Sequence, residues 1–147
     1  MPRNRLVFIL VVLGIGFFQA ELNSQQARQS GQTQLSVQEV MNSIIAPATT
    51  TLWGAWEIET DAQWRELEQA AVAVIGAGER ISQGGTGPRD NAWAAEPEWQ
   101  EYNQQMIDAA RTAMTAIRAR DMEALSSAGN DLLYPPCESC HQKYMSR

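Results

Sequence analysis

The chain's only two cysteines and its only histidine fall in one run near the C-terminus, Cys137-Glu138-Ser139-Cys140-His141. The spacing C-x-x-C-H is the attachment signature of c-type haem. Two thiols three residues apart can each add across a vinyl group of the porphyrin. The adjacent imidazole of His141 then comes to lie under the iron as an axial ligand. Other chemistries use these residues less completely. A Cys137–Cys140 disulfide leaves the neighbouring histidine unexplained, and a thioredoxin-like C-x-x-C sits in a βαβ setting, for which the chain shows no strand pattern. Structural zinc takes four ligands, and the cluster offers three. No Ser-His-Asp set can be built without the motif histidine, and no glycine-rich phosphate loop follows a strand, so nothing points to an enzyme.

Cys137, Cys140, His141 and Tyr144 stand at i, i+3, i+4 and i+7, which share one face of a helix. The elements that must position that face are helical throughout. Helix A is expected from Ser36, where Ser36-Val37-Gln38-Glu39 matches a capping box, with Val37, Met41, Ile44, Ala48 and Leu52 inward. Pro47 lies inside this stripe and is expected to bend it. Helix B runs from about Asp61 to the low eighties, with Trp64, Leu67, Ala71, Val74 and Ile75 inward. A loop over residues 84–96 follows. Helix C opens near Pro97, a residue suited to a first helical turn, and carries Trp99, Tyr102, Met106, Ala110, Ala113 and Ile117 inward. Helix D starts near Asp121, with Met122, Leu125, Ala128 and Leu132 inward, and Pro135-Pro136 must kink or restart it. The expected fold is all-α, an antiparallel up-down-up-down four-helix bundle, with haem near the C-terminal end of the fourth helix. Trp53, Trp56, Trp64 and Trp99 are expected in the core. Trp56 and Trp64 are the pair that could instead seal a contact between copies.

The N-terminus points to export. Arg3 and Arg5 precede an apolar run, Leu6 to Phe18, that falls short of the roughly 20 residues of a membrane-spanning helix. It reads as a signal peptide over residues 1–20, and without cleavage it would remain as an anchor. A polar, Gln-rich leader follows over 21–35, and the helical domain occupies 36–147. The periplasm is the expected compartment. Without Arg3 and Arg5 the net charge moves from −6 to −8. No basic stripe is present, which excludes the usual nucleic-acid binders. The expected partners are redox proteins, basic ones if the acidity steers them. Arg80 and Arg89, near the B–C loop, are placed to meet haem propionates or to lie solvated.

A leader, four helices and a late motif followed by tyrosine, Cys137-Glu-Ser-Cys140-His141-Gln-Lys-Tyr144, resemble the class II c-type cytochromes, typified by cytochrome c-prime. The resemblance covers roughly Leu35 to Arg147. It implies a periplasmic bundle with one covalent haem c, often a homodimer through its first two helices. It implies thioethers at Cys137 and Cys140, proximal ligation by His141, and Tyr144 with its ring beside the haem. Many members have a basic residue directly after the tyrosine, where this chain has Met145, with Lys143 one place before. The distal position in that family comes from the first helix. Met41, the only methionine of helix A, is the expected distal ligand, and a His/Met pair gives a six-coordinate electron carrier. Were Ile44, Ile45 or Ala48 to face the iron instead, it would be five-coordinate and open to small gases such as NO or CO.

Overall fold

Ser36 starts the first helix by satisfying amides that every helix start leaves open. Its hydroxyl accepts from the Glu39 amide at 3.2 Å, and the Glu39 carboxylate accepts from the Ser36 amide at 2.7 Å. The same reciprocal pairing joins Thr60 and Gln63 at the start of the second. The computed structural model describes residues 34–145. The signal segment expected over 1–20, and all but the end of the leader, lie outside the described residues. Contacts divide the chain into Met1–Gln34 and Leu35–Arg147, and every helix described belongs to the second unit.

Five helices make up that unit, and the described residues contain no strand. Helix α1 (37–53) runs through Val37–Val40, a π-helical stretch Met41–Ile45, and Ala46–Trp53. Helix α2 is Asp61–Ile81, α3 is the short Asp90–Ala94, and α4 is Pro97–Ala119. Helix α5 (122–144) runs through Met122–Ser127, a second π-helical stretch Ala128–Leu133, and Tyr134–Tyr144. Helix α4 packs on α2 and α5, and α1 packs on α2. The arrangement is compatible with a helical bundle. The 84–96 connection, expected to be loop, contains α3. No helix among the described residues is long and apolar enough to cross a membrane.

The prolines neither break nor end α1 and α5. A proline offers no amide hydrogen and crowds the carbonyl four residues back. In both helices the turn before it is widened instead. The Ala46 amide donates to the Met41 carbonyl and the Tyr134 amide to the Gly129 carbonyl, each a five-residue reach. Pro47 and Pro135 then sit in the first turn of the α-helical segment that follows. Each wide turn adds one residue to the step between inward positions. Along α1 the buried apolar residues are Val37, Val40, Ile45, Ala48 and Leu52, a step of five across the π stretch. Along α5 the step runs from Ala128 to Leu133. Leu132, expected inside, is 46 % exposed, and Leu133 is fully buried in its place.

Leu67, Ala71 and Val74 of α2 meet Trp99, Ala110, Ala113 and Ile117 of α4 in one core. Gly78 sets the closeness of the two helices, because a Cβ there would come within 2.6 Å of Ile107 Cγ1. Trp64 and Trp99 are buried as expected, but Trp53, at the end of α1, is 36 % exposed, and Trp56 is 80 % exposed. Trp56 lies past the end of α1, in the 54–60 connection, where no helical periodicity directs it inward.

Asp90, 4 % exposed, ties the 84–90 loop to the start of α1. Its Oδ2 accepts from the Val37 and Gly87 amides, both at 2.8 Å. Gly85 makes room for it, since a Cβ there would sit 2.5 Å from Oδ2. Asp90→Ala leaves two amides without their carboxylate. We expect it to cost about 2–4 kcal/mol, since a buried unpaired amide costs about 1–3 and the Gly87 amide is only partly buried. The loss will appear as a lower urea midpoint, and Asp90→Asn, which keeps an acceptor oxygen, will lose less.

Candidate cofactor site

A cavity of about 540 Å³ opens between α1, α4 and the last turns of α5. Pockets that hold cofactor-sized ligands run from about 300 to 1,000 Å³. Cys137, Cys140, His141 and Tyr144 line it from α5, and Met41 and Ile45 line it from α1. The structure therefore brings Cys137, Cys140, His141, Tyr144 and Met41 to one cavity. Of the α1 residues weighed for the distal position, Met41 and Ile45 face the cavity, and Ile44 and Ala48 do not.

The two π stretches explain why those faces meet. In a regular α-helix a step of four residues overshoots a full turn by about 40°, at 3.6 residues per turn. A row at constant spacing of four would wind off the cavity within a few turns. On α1 the lining residues nevertheless fall in two such rows, Gln38, Asn42, Ala46, Thr50 and Met41, Ile45, Thr49, Trp53. The wide turn over Met41–Ile45 takes up the overshoot. On α5 the step to Leu133 places Cys137, Cys140 and Tyr144 in line behind it.

Both cysteines are free thiols and partly buried. Burial pushes each thiol up from its ordinary value near 9 to about 11. For Cys140 the neighbouring Cys137 pushes the same way, and Lys143 opposes. A redox-active C-x-x-C shows the opposite tendency, with a lowered thiol pKa. Among the described residues no group of three or more His, Cys, Asp or Glu converges to hold a metal ion. The two thiols and the imidazole are instead spread along one helix face.

The far wall is aromatic. Trp93 and Trp99 stack with centroids 5.5 Å apart, and Tyr144 meets both edge-on at 5.7 and 5.0 Å. The hydroxyl of Tyr144 donates to Glu96 Oε2 and that of Tyr102 to Glu98 Oε1, each at 2.9 Å. Burial, then the bond to Glu96, raises the Tyr144 phenol, and the bond to Glu98 raises that of Tyr102. Lys143 bridges the two glutamates, and the bond to Glu98 holds its ammonium above the ordinary lysine range. These carboxylates were not legible as site residues; the only local trace is the i, i+4 pairing of Glu98 with Tyr102.

No carboxylate, ammonium or guanidinium side chain lines the cavity among the described residues. Arg80 and Arg89 are not in its walls, and Arg89 lies over the Trp93 ring at 5.1 Å. Asn103 is in the wall, and its amide nitrogen donates to the Gly78 carbonyl at 2.9 Å. Its Oδ1 is enclosed without a partner. Met106 and Met145 also line the cavity, from α4 and from the residue after α5, whereas Met114 and Met122 do not. No family model, curated protein or solved structure matches this chain.

The thiols give a pH signature. Their folded pKa lies above the unfolded one, so the folded state holds protons that the unfolded state releases between about pH 9 and about pH 11. The stability linked to them is fully present below that window and lost as pH rises through it. For the haem-free chain, urea unfolding across the window will show that fall, and Cys137→Ser/Cys140→Ser will flatten it. Alkylation at pH 8 will be slow in the folded chain and fast in urea.

Proposed function

We propose that this chain is a periplasmic monohaem c-type cytochrome of the class II kind, an electron carrier built on an up-down-up-down bundle. One observation carries the reading. The two thiols and the imidazole of the C-x-x-C-H run share a single cavity with the one methionine of α1. The donor set fits haem c. Cys137 and Cys140 stand where each can form a thioether, and His141, on the same face, supplies the proximal nitrogen. Met41 supplies a thioether sulfur from another wall. Bound haem supplies an iron that exchanges one electron at a time, with a potential set by axial ligands, burial and hydrogen bonding.

The residues of the chain do the rest. Ile45, Trp99 and Met106 line the cavity with apolar surface that keeps water from the ring. Tyr144 closes one end with its ring and directs its hydroxyl outward to Glu96. Among the described residues no carboxylate, ammonium or guanidinium lines the walls, so the iron's charge is left to be balanced by its own ligands and propionates.

Ile45 supports a second reading. It lines the same cavity one turn after Met41. Iron facing Ile45 would be five-coordinate and would take up NO or CO.

Mature protein from cells with haem-maturation machinery will carry the mass of one haem beyond its polypeptide. Its ferric and ferrous absorption spectra will be low-spin, and added CO will bind the reduced form slowly or not at all. Met41→Ala will turn the spectrum high-spin, lower the reduction potential and admit CO readily. A high-spin wild type that binds CO at once establishes the second reading, and a colourless polypeptide mass ends both.

A further inference from the structure

Tyr134–Tyr144 carries all three attachment residues, yet only its Pro136 and Tyr144 are buried. Apolar packing alone fastens it weakly. Its second fastening is polar and lies in its last turn. Lys143, with a side chain 24 % exposed, lies 3.3 Å from Glu96 Oε2 and donates to Glu98 Oε2. Tyr144 donates to Glu96 and packs edge-on against Trp93 and Trp99. These partners lie in α3, at the Glu96 cap of α4 and in the first turn of α4. That stretch is anchored in turn: Trp99 donates to the Ile81 carbonyl at 3.2 Å, and Gln100 to the Ser82 and Ala94 carbonyls at 2.8 and 2.7 Å.

We infer that the Lys143 bridge to Glu96 and Glu98, together with Tyr144, is a latch that holds the C-x-x-C-H turn against the cavity and fixes the direction of the His141 imidazole. The inference rests on the haem reading of the site. An isolated surface ion pair contributes little. Here one ammonium joins two carboxylates, each of which also accepts a phenol, and the lysine side chain is three-quarters buried. Cys140 and His141 lie three and two residues before Lys143, within the same helical turn, so motion at the latch is motion of the ligand. Lys143 is a positioning residue, acting through the helix that bears the imidazole.

Two measurements on the full chain test the latch. In protein prepared without haem, hydrogen exchange followed by mass spectrometry reads the last helix directly. Lys143→Met will speed exchange across residues 136–145 by at least about tenfold through local opening. Residues 62–80 and 101–118 will stay protected, and Lys143→Arg will retain the wild-type pattern. If Lys143→Met does not fold, Glu98→Gln will give the same local loosening. In mature protein, Lys143→Met will shift the paramagnetically displaced proton resonances of the His141 ring and the reduction potential, and Lys143→Arg will restore both. Equal exchange in wild type and variant, or an arginine variant no better than the methionine one, overturns the latch. A wild type that gains no haem mass defeats the haem reading instead, and the exchange experiment still decides whether the last helix is latched.

Discussion

A proline inside a helix has no hydrogen to give and a ring that needs room. The two helices supplying the cavity's attachment and α1 walls each contain one or more. Breaking the helix there would free Val37–Val40 from Ala46–Trp53, and the C-x-x-C-H turn from Met122–Ser127. Widening one turn keeps both helices continuous at the cost of a few poorly closed hydrogen bonds. It also changes which residues face inward beyond it. Ile45 and Leu133 enter the core because the step there is five residues. The cavity follows from that shift, since Met41 opens the first wide turn and Cys137 lies one turn beyond the second. π turns recur at functional sites in helices, and here the reason is geometric: two rows of side chains stay in line along a flat space.

Much of this was legible from local chemistry. Ser36 with Glu39, Pro97 and Asp121 act on amides or carbonyls a few residues away, so the starts of three helices could be read from short windows. The C-x-x-C-H run stands out for the same reason. Its three rare residues are neighbours in sequence, and a helix places them on one face. The wide turns were less visible, though not hidden. Val40 and Ile45, and again Ala128 and Leu133, are apolar pairs five apart ahead of a proline. A stripe drawn at helical spacing passes over Ile45 and Leu133 and selects Ile44 and Leu132 instead.

What stayed illegible depends on distant pairing. Nothing around Asp90 announces that its carboxylate accepts from Val37, on a different helix. Lys143 looks like a solvated basic residue until α4 brings Glu96 and Glu98 beside it. Trp56 could not be placed because periodicity ends where its helix ends. Each of these is a tertiary contact between groups whose local sequence would suit many other partners.

The placement of charge ties the parts together. Among the described residues the cavity walls carry no carboxylate, ammonium or guanidinium, while two carboxylates and one ammonium sit just outside Tyr102 and Tyr144. In the proposed reading the two carboxylates favour the more positive, ferric state, the ammonium opposes them, and a thioether ligand from Met41 raises the potential. The ligand dominates. Axial ligation spans about 0.8 V across haem proteins, whereas Glu96 and Glu98 are nearly half exposed and their field is screened by water and salt. The same glutamates matter more as mechanical anchors, because a hydrogen bond fixes direction even where solvent weakens the charge behind it. In the proposed reading, potential is governed by which α1 side chain meets the iron, and the angle of the imidazole by the last turn of α5. The wide turns before Pro47 and Pro135 bring those two determinants to the same space.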